Sequence, residues 1–153
     1  MLKLFRKIWP KKEKRIAFID GDQDLQQLMN AYNKHIVGTD TQTHFIRAGA
    51  YVKEPKLLKN LPEINKIYLQ GFRRGKEITD KYIGAFIQKA ISDGYNHITV
   101  ISSDYDFIDI FKMAIILDKR SEELTFRMIV PNAIGRLADL PTQVANIEIV
   151  KNR

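Results

Sequence analysis

The stretch His97–Phe107, HITVISSDYDF, decides the fold. Its first half is a compact β-type run, apolar at consecutive positions rather than alternating with polar ones. A strand apolar on both sides belongs inside a parallel sheet covered by helices on both faces. After the Ser/Asp-rich turn, Phe107, Ile110, Phe111, Ala114 and Ile115 recur at helical spacing. Upstream, Ile83, Phe86, Ile87, Ala90 and Ile91 mark one face of a long helix, and Gly94 stands past its end. Helix, strand and helix in close succession point to an α/β sheet.

Working outward, the same alternation fills the chain. Arg15–Asp20 (RIAFID) reads as a buried strand, and Leu25, Leu28, Met29, Tyr32 and Ile36 as a helix stopped by Gly38. Thr43–Ala48 is a second strand, Glu54–Asn60 a short helix with Pro55 in its first turn, and Lys66–Phe72 a third strand. Leu124–Val130 is another strand, halted by Pro131; Ala133–Leu140 suggests a short helix, and Asn146–Val150 a last strand at an edge. The chain of 153 residues is one domain's length. The division expected is an arm over residues 1–14 and a domain over 15–153.

The net charge of +7 misleads about that domain. Residues 1–15 hold seven bases and one acid, while the rest holds 18 bases and 17 acids. The excess is therefore an arm, in which Leu2, Leu4, Phe5, Ile8 and Trp9 alternate with Lys and Arg. It has no apolar core of the length a secretory signal needs. A solubilising tail, a nucleic-acid arm, and an amphipathic contact with an anionic membrane or a protein are the three readings. No apolar run reaches the roughly 20 residues of a membrane span. The chain has no cysteine, which excludes disulfide scaffolds, thiolate metal sites and Cys nucleophiles and fits a cytoplasmic location.

In open α/β sheets, ligands bind outside the carboxyl ends of the strands, where strand order reverses. Acids gather at such places. Asp20-Gly21-Asp22-Gln23-Asp24 ends the first strand, and Ser102-Ser103-Asp104-Tyr105-Asp106 ends the strand at 97. Gly75-Lys76-Glu77-Ile78-Thr79-Asp80 opens the longest helix. Grouped carboxylates repel and resist desolvation, so they need a compensating charge. A hard divalent ion, Mg²⁺ or Mn²⁺, takes oxygen ligands and bridges to phosphate. The plainer reading is that Asp24, Thr79 or Asp80 caps a helix.

At these residues, IDGDQ, GKEITD and VISSDYDF, the chain resembles the NYN branch of the PIN-like nucleases, from about Arg15 to Val130. The family pattern is a strand ending in Asp, a Lys-preceded Asp at a helix start, and a Ser-x-Asp-x-Asp-Phe turn. Where this chain has Gln23 the family usually has Asn. The resemblance implies a single Rossmann-like, PIN-like three-layer domain with a mainly parallel sheet of about five strands. It implies a metal-dependent ribonuclease using Mg²⁺ or Mn²⁺, with Asp20, Asp80, Asp104 and Asp106 as catalytic, metal-binding acids. Asp22 is a fifth candidate, with Ser103 as a supporting hydroxyl and Gln23 at the family's Asn position. Such ions activate water for attack on phosphorus and steady the leaving oxygen. Products would carry a 5′-phosphate and a 3′-hydroxyl.

Arg73, Arg74 and Lys76 precede Asp80 and suit phosphate neutralisation, an ordinary solvated turn being the alternative. Tyr105, between two of the acids, suits base stacking. RNA is expected as partner before DNA, and a homo-oligomer is open. Phe107, Phe111 and Met113 read as core, and His35, His44 and His97 as scattered non-ligands. Two rival functions stand beside the nuclease. One is a non-catalytic RNA- or protein-binding module of the same fold. The other is a haloacid dehalogenase-type phosphatase, with Asp20 as nucleophile and Asp22 as general acid.

Overall fold

The computed structural model describes residues 12–49, 54–70, 78–117, 123–132, 139, 141–144 and 146–152. Its elements are β1 (Arg15–Asp20), α1 (Leu25–His35), β2 (Thr41–Gly49), a 3-10 turn (Lys56–Leu58), β3 (Ile64–Gln70) and α2 (Ile78–Ser92). Then follow β4 (His97–Ile101), α3 (Asp106–Leu117), β5 (Thr125–Val130), β6 (Gln143–Val144) and β7 (Ile147–Lys151). The strands form one sheet in the order β3-β2-β1-β4-β5-β7-β6. All pairs are parallel except β6 with β7. The fold is α/β and Rossmann-like, with seven strands rather than about five. The strand not read from the sequence is two-residue β6, which forms the edge and moves β7, expected there, one place inward.

Side-chain alternation sorts β1 between two cores. Ile16 and Phe18 join Ile83, Ile87, Phe107 and Phe111 beneath α2 and α3. Ala17 and Ile19 join Leu28, Met29, Tyr32 and Leu58 beneath α1 and the 3-10 turn. The sheet is thus the middle of three layers, which is why its central strands carry apolar residues in succession. Each fully buried Phe, such as Phe18, Phe45, Phe111 and Phe126, contributes about 1.5–3 kcal/mol of burial.

Local chemistry sets the element ends. Asp24 caps α1, its carboxylate accepting from the Gln27 N–H at 3.1 Å. Gly94, with φ +93°, supplies the left-handed residue that ends α2. The expected helix over Glu54–Asn60 is only the three-residue turn after Pro55, too short for an α-helical ladder. The suggested helix at Ala133–Leu140 lies outside the described residues apart from Asp139, as does the arm through Lys11. One core expectation is corrected: Met113 is exposed, together with Ile116 and Leu117. Ile108 turns inward instead, so the buried face of α3 is Phe107, Ile108, Phe111 and Ala114.

Candidate functional site

The chain leaves β1 towards β2 and β3 on one side, and α2 then carries it across to β4 on the other side. Strand order therefore reverses at the β1/β4 boundary, and the crevice beyond their carboxyl ends is where ligands are favoured. Asp20 ends β1 there and is 3% exposed. Its position is set by parity: Ile16, Phe18 and Asp20 alternate onto the α2/α3 face.

Gly21 makes the turn after Asp20 feasible. Its N–H donates to the Ile46 carbonyl at 2.7 Å, and a Cβ there would lie 2.6 Å from both that oxygen and the Phe45 ring. Only glycine allows so close a backbone approach. The turn then presents Gln23, whose amide Nε2 donates to Asp20 Oδ2 at 3.0 Å and to Ser102 Oγ at 2.9 Å. Gln23 Oε1 accepts from the Ser103 N–H at 2.8 Å. Ser102 Oγ donates to Asp20 Oδ2 at 2.8 Å and accepts from the Asp104 N–H at 3.0 Å. Asp104 Oδ1 in turn accepts from the Asp106 N–H at 3.0 Å, opening α3. A single network thus stitches the β1 turn to the β4 turn.

Gln23 is a bridging residue of that network. Ser103 takes part through its backbone; the buried hydroxyl is that of Ser102, which sequence reasoning passed over. Strand parity was the available signal, because Ser102 continues the Ile98, Val100 series on the face that carries Asp20.

Asp22 has a different role. Its Oδ1 accepts from the Ala48 N–H at 3.3 Å and its Oδ2 from Thr79 Oγ1 at 2.6 Å. It ties the β1 turn to the end of β2 and to the start of α2. Thr79, weighed only as a helix cap, is the buried hydroxyl that completes this tie.

Asp80, in the first turn of α2, comes beside Asp104. Burial and the hydrogen bond it donates to Asp104, with the neighbouring charges of Asp20, Asp104 and Asp22, push its carboxyl up to about 8. Asp20 is pushed up to about 6, mainly by burial, against the lowering effect of the Ser102 hydroxyl. Among the described residues no lysine or arginine bonds to Asp20, Asp80 or Asp104. Among the described residues the group thus has no bonded cation to compensate it, and its all-oxygen donors match a hard divalent cation in kind. Among the described residues no three acids or histidines converge closely enough to hold one ion as they stand.

Asp80 and Asp106 line one groove of about 350 Å³ between the starts of α2 and α3, with Lys81, Gly84 and Ile110. Tyr105 is 41% exposed in the turn between Asp104 and Asp106. Arg73, Arg74 and Lys76 lie outside the described residues. The three histidines stay apart: His35 meets Asn152, His44 stacks on Phe18, and His97 faces Glu13.

No family model matches the chain, and no curated protein matches it.

Proposed function

We propose that this chain is a metal-dependent nuclease acting on RNA in preference to DNA, with Asp20, Asp80, Asp104 and Asp106 as its functional acids. The observation that carries the reading is the gathering of Asp80 and Asp104 beside buried Asp20 at the strand-order reversal, with no lysine or arginine bonded to them among the described residues. The resemblance of IDGDQ, GKEITD and VISSDYDF to NYN-type nucleases supports it independently of the geometry. Mg²⁺ or Mn²⁺, when bound, would supply Lewis-acid activation of water and charge neutralisation at phosphorus.

The chain's own residues have separable tasks. Gln23 and Ser102 hold Asp20 in one orientation, so that a buried carboxylate is preset before substrate arrives. Asp80 carries a proton against Asp104 in the metal-free chain and gives it up when a cation takes over as partner. Asp106 lines the groove through which a phosphodiester would approach. Tyr105 offers an exposed ring for stacking a base next to the scissile bond. An exposed ring suits single-stranded RNA, whose unpaired bases are free to stack.

A non-catalytic RNA-binding module is the second reading, favoured by the lack of three converged acids among the described residues. The phosphatase reading is weakened because Asp22, its required general acid, has both oxygens engaged by Ala48 and Thr79. A panel of single-stranded and hairpin RNAs run on a gel with Mg²⁺, Mn²⁺ or EDTA separates them. The nuclease cuts RNA with metal, stops in EDTA and fails as Asp20→Asn. The module shifts RNA and leaves it whole with every metal, which would overturn the proposal.

A further inference from the structure

A cavity of about 360 Å³ opens at the amino ends of the strands, on the α1 face. Register builds its floor. One row across the sheet is Thr41, Arg15, His97 and Thr125, and the next includes Thr99, Arg127 and Glu148. β4 and β5 have neighbours on both sides, so these positions should be apolar if the face were meant only for packing. The same face is apolar one step further on, at Ile101 and Ile129.

Two of the floor residues have polar groups without partners. Thr99 is 6% exposed and lines the cavity, and among the described residues its hydroxyl has no hydrogen bond. Arg127 is half-buried on central β5 and likewise has no hydrogen bond or ion pair among the described residues, although Glu148 stands opposite it in register. Neither group is sealed away from solvent, so both are open to an external ligand through the cavity. Arg15 lines the same cavity, bonded to the Thr39 carbonyl at 3.2 Å and to Glu13.

The composition defines the ligand. Two guanidiniums and several threonine hydroxyls suit a phosphate group. Glu148, at the exposed rim, repels a second anionic group but accepts from sugar hydroxyls. The volume falls within the roughly 300–1,000 Å³ range of small-molecule pockets, near its lower end. We infer that this cavity binds a small hydroxyl-bearing phosphate monoester, the size of a sugar phosphate or mononucleotide, about 16 Å of strand length away from Asp20. The site does not depend on the nuclease reading.

Isothermal titration of the full chain with ribose 5-phosphate, in EDTA so that the acids cannot hold phosphate through metal, tests the inference. Inorganic phosphate and ribose serve as comparison probes. The expected result is saturable binding of ribose 5-phosphate below about 1 mM, weakened at least about tenfold in Arg127→Gln. Glu148→Ala, which removes both the repulsion and the acceptor, should weaken ribose 5-phosphate relative to inorganic phosphate, with RNA cleavage unchanged in both variants. Glu148 is exposed, so this second variant serves if Arg127→Gln does not fold. No saturation by about 10 mM, equal binding by wild type and both variants, or loss of binding in Asp104→Asn would overturn it.

Discussion

At the β1/β4 boundary Asp20 bonds the neutral Gln23 and Ser102 while Asp80 lies against Asp104, and burial sets how the two respond to protons. Asp20 and Asp80 are both raised above the ordinary aspartate value of 3.8, to about 6 and about 8. A raised carboxyl favours the folded state when protonated. Its contribution is complete below about pH 4 and is lost as pH climbs through 6 and then 8. In metal-free buffer, Asp80→Asn should therefore melt about 2–6 °C above wild type at pH 8.5, with the gap closing towards pH 4. Equal melting temperatures at pH 8.5 would refute this. Ser102 is the other decisive residue, because one hydroxyl serves Asp20, Gln23 and the Asp104 N–H. Ser102→Ala should cost about 1–3 kcal/mol in chemical denaturation and lower cleavage about 10–100-fold, whereas Ser103→Ala should do neither. Gly21→Ala, which forces a methyl against Ile46 and Phe45, should destabilise by about 2–4 kcal/mol in the same measurement.

At the scale of elements, the readable parts are those fixed by local pattern. β1 was legible to the residue because its apolar run is bounded by Arg15 and the Asp-Gly turn. α2 and α3 were legible in place and length because periodicity persists over several turns. The orientation of α3 was less so: with Ile108, Ile110, Met113, Ile115, Ile116 and Leu117 all apolar, spacing alone does not choose between neighbouring faces. β6 was unreadable because two residues have no period. Within the site, clustering of acids was visible, but the division of labour between Asp20 and Asp22 was not. It depends on contacts with Ala48 and Thr79, which are 26 and 57 positions away. Asp24 belongs to this scale too. As the α1 cap and not a site acid, Asp24→Ala should lower stability by about 1 kcal/mol while leaving metal binding and cleavage intact.

On the scale of the whole molecule, the two ends of the sheet differ. The acids occupy the carboxyl edge. The chain enters β1 from the amino edge, where the Lys12 carbonyl accepts from Asn96 and Lys14 lies over the Tyr95 ring. The basic N-terminal residues are thus joined to the domain roughly 16 Å of strand from Asp20. If they hold RNA, they add phosphate contacts without being ligands of the acids' cation. Deleting residues 1–11 should then reduce the salt dependence of RNA affinity while leaving cation-induced stabilisation unchanged. The central claim, that these acids use a divalent cation to cut RNA, is tested most directly by cleavage of an end-labelled single-stranded RNA in Mn²⁺. Wild type should cut it, and Asp104→Asn should be slower by at least about a hundredfold while remaining folded. Equal cutting by the two proteins, or an intact substrate with wild type, would contradict the account.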